Sequence, residues 1–489
     1  MIESVLIANR GEIACRIIRT LRRMGIRSIA VYHFTDRGAP HVGLADAAVE
    51  IHADVPTAAY LDIRQLVATA SETDAVAVHP GYGFLAENPN FARAVSDAGL
   101  IFIGPSPEVI ELMGDKIRAR DFAKGNGIPI APSVDNDDVE ALIAATATIG
   151  YPVLIKAAAG GGGKGMNIAH TQEELRNRIA LAQSEAQRYF LDRRVYVEHL
   201  FERPRHIEVQ VLGDGNGNVI HLFERECSIQ RRFQKIIEES PAPNLDPQLR
   251  DEMCAAAVTL STAANYRNAG TVEFILAPDD TFYFLEMNTR LQVEHPVTEE
   301  VTGVDLVEEQ IHIANSGDLR LRQADITQRG HAIECRICAE RPDEDFHPAT
   351  GMVRLLRLPE GEGIRVDDGI REGQAIDAAF DSMLAKLIVH ANDRAGAVET
   401  CIDALREYVL LGIEANIEYV ARIVAHPEFQ RGDLHTGFIP DNISTLQAQP
   451  LADGDRDAIL LAAALATDSF RRAAYEIPDP HAEIGYWRN

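Results

Sequence analysis

The stretch Glu286-Met-Asn-Thr-Arg-Leu-Gln-Val-Glu-His-Pro-Val-Thr298 constrains this chain more than any other. It sets a polar, chemically capable side chain at every second position (Glu286, Asn288, Arg290, Gln292 and Glu294), with Met287, Leu291 and Val293 among the residues between them. In an extended segment, residues two apart share a side, so one edge carries two carboxylates, two amides and a guanidinium. Fully straight, that edge would run roughly 26 Å at about 3.3 Å per residue, longer than a small reaction centre, which predicts a bend near Asn288 or Thr289. Taken alone, the stretch also fits a solvated amphipathic edge strand.

The residues just upstream favour chemistry. Residues 271–276 and 281–286 are short runs rich in Val, Ile, Phe and Tyr around Ala277-Pro-Asp-Asp280, the pattern of a hairpin. With the four turn residues looped out, Leu276 faces Thr281 and Glu273 faces Phe284, making Glu273 and Glu286 diagonal neighbours on one face. A turn of odd length would instead put them on opposite faces. Two carboxylates that close repel unless a cation lies between them, and Mg²⁺ takes one or two carboxylates together with phosphate oxygens. Asn288 can add a neutral oxygen.

A chain of 489 residues implies about two to four domains. Its net charge of −27, from 47 basic and 74 acidic residues, argues against a general nucleic-acid surface, so any bound phosphate must meet a locally basic pocket. No run approaches the roughly 18 apolar residues of a membrane span, and the N-terminus lacks a basic region followed by an apolar one. A cytoplasmic protein with no membrane or nucleic-acid partner is expected. The six scattered cysteines suit a reducing compartment. Cys335-Arg-Ile-Cys338 has redox or zinc spacing but no second pair, and in a strand its two cysteines face opposite sides, so buried small residues are expected there.

Taken in order, the chain opens with a strand at 4–8, a helix at 13–23 and a strand at 28–32, followed by a helix at 63–70, a strand at 75–78, a helix at 90–98 and a strand at 100–103. That alternation predicts an open, mostly parallel sheet. Only Gly11 stands in the first turn, which rules out a dinucleotide fingerprint. His79-Pro-Gly-Tyr-Gly83 ends a strand where such sheets place ligands, though a plain Gly and Pro turn explains it equally. Gly114-Asp-Lys116 opens a helix. A strand at 151–155 leads to Lys156, then to Gly160 through Gly163, Lys164 and Gly165, then to a strand at 166–169. A glycine run by itself is usually a linker; between two strands it fits a loop whose backbone donors close over phosphates, without P-loop spacing. A helix at 172–187, a strand at 195–198 and an alternating run at 205–211 follow. Residues 223–239, including Gln230-Arg-Arg-Phe-Gln-Lys235, predict a positioned basic loop. From 330 a third module carries strands at 352–358, 364–366 and 384–389 and a helix at 394–410, and beyond about 441 an Ala-rich helical tail ends in Gly-Tyr-Trp-Arg-Asn489.

A glycine-rich lid, two lysines, a carboxylate pair and a cationic edge are the equipment to bind Mg-ATP and activate an anion by phosphoryl transfer. The motifs Ile7-Ala-Asn-Arg-Gly-Glu-Ile-Ala14, His79-Pro-Gly-Tyr-Gly83, Met113-Gly-Asp-Lys116, the Gly160 loop, Arg205-His-Ile-Glu208, Cys227-Ser-Ile-Gln-Arg-Arg232, Glu286 through Pro296 and Glu334-Cys-Arg336 resemble, in this order, the biotin carboxylase component of biotin-dependent acyl-CoA carboxylases, an ATP-grasp family. The resemblance runs from residue 1 to about 446. It implies an α/β and α+β multidomain protein: an N-terminal parallel α/β domain (1–113), an ATP-grasp centre (114–333) with a mobile lid near 133–202, a β-rich C-terminal domain (334–446) and a helical tail (447–489).

The resemblance also implies the reaction, in which ATP phosphorylates bicarbonate to carboxyphosphate, which yields CO₂ for N1 of biotin on a carrier protein. By that likeness Lys116, Lys156, Gly162, Gly163, Glu198, His199, Leu200, Phe201, His206, Gln230 and Phe233 meet ATP, and Glu273, Glu286 and Asn288 hold Mg²⁺ or Mn²⁺. Lys235, Arg290, Gln292, Val293 and Glu294 meet bicarbonate with Glu294 as base, and Arg336 stabilises the enolate-like oxygen of biotin. Two positions depart from the family pattern: Phe233 replaces a histidine beside the nucleotide, and Cys338 replaces an asparagine near Arg336. None of the eight methionines precedes a lysine, so the Met-Lys-Met biotinylation signal is missing, and the biotin carrier protein and carboxyltransferase are expected on other polypeptides of an assembly in which this chain is a homodimer. The tail faintly resembles the segment after this domain in larger acyl-CoA carboxylase subunits. Two alternatives stand. An ATP-grasp ligase joining an acyl phosphate to an amine would share the metal pair but have no need of the Arg290 to Glu294 arrangement or of Arg336, and a non-catalytic scaffold would have no need of Lys116, Glu273, Glu286, Arg290 or Glu294.

Overall fold

The computed structural model describes residues 1–159, 166–448 and 453–474. It forms two compact units, Met1–Leu446 and Gln447–Asn489. In the second, a helix runs from Asp453–Ala474; the chain's last residues, and the glycine loop with Gly162 and Gly163, lie outside the described residues.

The first unit opens with a sheet of five parallel strands, β1 (Ser4–Ile7), β2 (Arg27–Tyr32), β3 (Ala47–Glu50), β4 (Ala77–His79) and β5 (Ile101–Phe102), in the order β3-β2-β1-β4-β5. Strand β3 has no counterpart among the expected elements. Helix α1 (Gly11–Met24) buries Ile13, Ile17, Ile18 and Leu21 on one face and stops at Gly25, whose φ of 70° is a left-handed cap that glycine adopts without strain. The turn after β4 packs so closely that a Cβ on Gly81 would lie 2.7 Å from Asn9 Nδ2. Asn9 in turn donates to the carbonyls of Pro80 and Tyr82 at 2.8 and 2.7 Å.

The expected lid region is a separate antiparallel sheet of four strands, β6 (Ser133–Asp135), β7 (Val153–Ala157), β8 (Asn167–Ala169) and β9 (Val195–His199), in the order β6-β9-β7-β8. Leu175, Ile179, Ala182 and Ala186 of the helix Gln172–Phe190 are buried in its core.

The largest sheet has eight strands: β10 (Arg205–Asp214), β11 (Val219–Arg231), β12 (Gln234–Ser240), β13 (Arg267–Leu276), β14 (Phe282–Asn288), β15 (His331–Cys338), β16 (Ile364–Asp368) and β17 (Met383–Ala391). Their order is β14-β13-β10-β11-β12-β15-β17-β16. Residue 334, the expected start of the third module, therefore lies inside a strand that pairs with β12 of the middle one. The same sheet corrects the loop expected at 223–239, which is the β11–β12 hairpin closed by the two-residue turn Arg232-Phe233, with φ of 48° and 67°. Most of its charges are not solvated: Glu224, Arg225, Glu226, Glu238 and Glu239 are buried, and the turn itself, with Arg232, is open to solvent.

The expected register of β13 and β14 is also corrected. Leu276 pairs with Phe282 and Phe274 with Phe284, one residue out of the expected alignment, and an irregularity then brings Glu273 directly opposite Glu286. The loop is one residue longer than expected, which alone would send the two glutamates to opposite faces. The extra residue at Leu285 restores the shared face, as a bulge does.

Candidate active site

A cavity of about 790 Å³ opens over the face of the large sheet and is lined from all parts of the first unit. Its chemistry begins where β14 ends. The strand stops at Asn288, and helix α2 (His295–Thr302) starts seven residues on, so the bend falls where the length of the polar stretch required it. The alternating side chains converge all the same. Arg290 donates to Asn288 Oδ1 at 3.1 Å and to Gln292 Oε1 at 2.9 Å, and Gln292 donates to Glu273 Oε1 at 3.2 Å.

At the buried end, Lys235 on β12 holds three carboxylates, reaching Glu208 at 2.5 Å, Glu273 at 2.8 Å and Glu294 at 2.5 Å. The other oxygen of Glu294 accepts from Arg336 of β15 at 3.0 Å, and Arg336 also binds Glu238 at 2.5 Å. Arg225, with no exposed surface, supports Glu208 from below at 2.5 Å and donates to Gln210, Thr298 and Thr271. Glu87 takes Arg290 Nε at 2.9 Å and the Thr289 amide at 3.0 Å. Burial opposes every charge here, and neighbours decide the outcome. Burial would raise Glu273 and Glu294, but Lys235, joined by His206 at Glu273 and by Arg336 at Glu294, holds both below the ordinary carboxylate range. Glu238 goes the other way, lifted by burial to about 7 against the pull of Arg336.

At the other end, Lys116 caps the cavity from the start of its helix and pairs with Glu286; burial, then repulsion from Lys156, lowers it to about 8. Lys156 of β7 pairs with Glu198 of β9, which also accepts from Arg120 at 2.9 Å. His206 lies 2.9 Å from Glu273 Oε2 and 2.8 Å from the Gln230 amide. His199, Leu200 and Phe201 line an apolar wall, with Phe201 stacked on Tyr283 at 4.9 Å between ring centroids. Phe233 lines the rim and is 45% exposed, the most open of the expected site residues described.

The donor set fits a hard divalent cation. Glu273 and Glu286 face each other across two strands, and each already draws basic side chains, Lys235 and the His206 ring at one and Lys116 at the other. Asn288 turns its NH₂ to Glu273 at 2.9 Å, so rotation of the amide would present its oxygen there.

Known proteins share this architecture. Residues 1–110 match the family described as biotin carboxylase, N-terminal domain, residues 115–322 the carbamoyl-phosphate synthase L chain, ATP binding domain, and residues 334–441 the biotin carboxylase C-terminal domain. A biotin carboxylase of Nostoc is 49% identical over 442 residues, covering 90% of this chain and 99% of that protein. The chain belongs to the biotin carboxylase family. It is an ATP-grasp enzyme of that family, and its similarity extends to proteins named for different carboxylases. The mitochondrial methylcrotonoyl-CoA carboxylase subunit alpha of Dictyostelium discoideum is 44% identical over 493 residues, 100% of this chain and 70% of that one. The biotin carboxylase domain dimer of Hydrogenobacter thermophilus 2-oxoglutarate carboxylase, solved with MgADP, ADP and bicarbonate, superposes with a TM-score of 0.90 at 44% identity, covering 92% of this chain and 100% of that one.

Glu87, Glu208, Arg225 and Glu238 hold the site of this biotin carboxylase family member together but are absent from the expected site residues. Glu208 was reachable, because it lies two residues from His206 and so shares its face of the strand. Glu87, Arg225 and Glu238 meet the site through pairings between distant segments, which carry no local signal. Near the second departure, Cys338 donates its backbone amide to Asn416 Oδ1 at 2.8 Å, and Asn416 donates to the Arg336 carbonyl at 3.0 Å. All six cysteines are free.

Proposed function

We propose that the chain uses ATP and bicarbonate to carboxylate biotin carried by a separate protein, as the first half-reaction of an acyl-CoA carboxylase. The observation that carries this reading is Glu294 bridging Lys235 and Arg336 at 2.5 and 3.0 Å, beside the opposed pair Glu273 and Glu286. Bound between that pair, with Asn288 as a third donor, Mg²⁺ or Mn²⁺ would neutralise charge on the transferred phosphoryl group.

The remaining roles belong to the chain's own side chains. Lys116, Lys156, Glu198 and His206 meet the nucleotide with Gln230, and the wall of His199, Leu200 and Phe201 flanks its base. Phe233 supplies a ring at the rim, and Gly162 and Gly163 supply backbone donors. Arg290, Lys235 and Gln292 with the Val293 backbone hold bicarbonate, and Glu294 takes its proton. A carboxylate held so far below its ordinary range is a weak base while both cations engage it. When Lys235 turns to bicarbonate, its grip on Glu294 loosens and the carboxylate gains basicity as the anion's proton becomes more acidic. Arg336, a forked and permanent cation, then stabilises the enolate-like oxygen of biotin.

Similarity over the whole of this chain and 70% of a methylcrotonoyl-CoA carboxylase alpha subunit supports an acyl-CoA acceptor, selected by a carboxyltransferase partner, with biotin on a carrier protein. The dimer described for the Hydrogenobacter domain supports a homodimer. No helix of the described residues is long and apolar enough to cross a membrane, which fits the cytoplasmic location we assign. The test is ATP hydrolysis measured with Mg²⁺, with and without bicarbonate, and with free biotin added. Bicarbonate-dependent hydrolysis stimulated by biotin, with carboxybiotin formed, is expected; hydrolysis indifferent to both would refute the assignment.

A further inference from the structure

Lys386 is completely buried, and nothing in the chemistry above uses it. It stands in the middle of β17, opposite Arg336 of β15 on one side and opposite Asp367 of β16 on the other. Its Nζ donates to the carbonyl oxygen of Val293 at 2.8 Å and lies 3.5 Å from Glu12 Oε2. Glu12 comes from the first turn of α1, lines the cavity and is 4% exposed, yet neither carboxylate oxygen has a hydrogen-bond partner among the described residues. The turn that carries it is pressed against the third module, since a Cβ on Gly369 would lie 2.4 Å from the Glu12 amide nitrogen. Burial lifts the Glu12 carboxyl to about 7, and Lys386 is the first neighbour opposing that rise.

An ammonium taken out of water is costly unless it is paired and hydrogen-bonded; the carboxylates of Glu12, Asp367 and Glu334 all offset the Lys386 charge, yet its short hydrogen bond goes to a backbone carbonyl, which needs a reason. Val293 lies in the irregular segment between β14 and α2, immediately before Glu294. A peptide unit is planar, so fixing the Val293 carbonyl fixes the plane that leads into Glu294. The catalytic carboxylate thereby receives a backbone anchor from a strand far away in sequence.

We propose that Lys386 and Glu12 are a positioning pair: Lys386 clamps the Val293–Glu294 peptide from the third module, and Glu12 supplies its counter-charge from the first. The bicarbonate pocket is then set jointly by all three parts of the unit. This deepens the functional reading above and rests on it.

The test uses the full chain with Lys386→Met, Glu12→Gln and wild type. Bicarbonate KM and kcat are measured by ATP hydrolysis, and MgADP affinity by calorimetric titration. Lys386→Met keeps the length of the side chain and removes the donor, so bicarbonate KM should rise about tenfold while MgADP affinity stays within about twofold. Glu12→Gln leaves the clamp and removes only its counter-charge, so a smaller rise, about threefold, is expected with unchanged MgADP affinity. An unchanged bicarbonate KM in Lys386→Met, or an equal loss of MgADP affinity, would overturn the pair. If Lys386→Met does not fold, Glu12→Gln decides: a bicarbonate KM equal to that of wild type overturns the proposal. Wild type lacking bicarbonate-dependent hydrolysis would overturn the functional reading and this inference together, whereas normal wild-type turnover with unmoved variants overturns this inference alone.

Discussion

The two ends of the cavity are built on different principles. Around Lys235 and Glu294, the charges are buried or mostly so, and shared: Lys235 serves three carboxylates, and Glu294 and Arg336 each meet two opposite charges. Around Phe233, the wall is the tip of a hairpin whose two turn residues both have positive φ. A two-residue hairpin turn of that conformation favours Asn-Gly; Arg232-Phe233 is the strained choice, tied back by an ion pair from Arg232 to Asp345 at 2.8 Å and by Arg231 lying 4.2 Å over the Phe346 ring. One end is pre-organised by mutual electrostatics and cannot lose a member cheaply. The other is a surface feature fastened from outside, able to change its side chain at modest cost.

The comparison breaks most sharply at Glu294. Glu294→Gln keeps the shape and removes the base proposed for bicarbonate, so ATP hydrolysis should fall by about 10² to 10⁴, with or without biotin. Lys235 retains Glu208 and Glu273, so the fold should survive, as circular dichroism and melting would check. Hydrolysis near the wild-type rate would mean that the buried end is scaffolding.

Next in size is Arg336→Ala. Carboxybiotin formation should drop by about 10² to 10³, the scale of one lost oxyanion donor, while biotin-independent ATP hydrolysis changes much less. Phosphate and carboxybiotin measured in parallel would decide: equal losses of both, in a folded protein, contradict the division of labour between Glu294 and Arg336.

At the exposed end the effects should be small and can run in the favourable direction. Phe233→His adds one possible donor to a ribose hydroxyl, so the ATP KM should fall by about tenfold or less, the scale of one hydrogen bond. A KM that stays or rises would show that another group already makes the contact.

The mildest test is by pH. Because Glu294 is held low in the folded protein, its contribution to stability is complete above its unfolded value of about 4.3 and is lost as pH falls below that toward the folded value. The gap in Tm between wild type and Glu294→Gln should therefore be fully present at neutral pH and narrow on acidification below about 4.3. A gap independent of pH would mean that Glu294 is not held ionised by Lys235 and Arg336.

What could be read from the sequence follows how local each contact is. The Glu273 and Glu286 pair lies within one hairpin, so its existence was legible, but its register was not: the longer loop and the extra residue at Leu285 compensate each other, and neither leaves a pattern in the residues. The bend after Asn288 followed from length alone. The charged run 223–239 was misleading because charge normally reports solvent, whereas here Glu226, Glu238 and Glu239 are buried with partners supplied by Arg205, Arg336 and Arg394. Arg336 reaches Glu294 because β15 lies beside β12, a juxtaposition of segments about a hundred residues apart. Only likeness to a family pointed to that, and it said nothing of Glu87, Glu238 or Lys386.

The pairing of β12 with β15 also bears on how the molecule could be taken apart. Ile237 lies opposite Cys335, and Ser240 opposite Ala332. A fragment ending near residue 330 would leave the far side of β12 as an open edge, with its peptide donors and acceptors bare and Ile236 and Ile237 newly uncovered. Such edges recruit strands from other molecules. The junction between the middle and third modules is therefore the place where cutting the chain should cause aggregation, because the sheet runs through it.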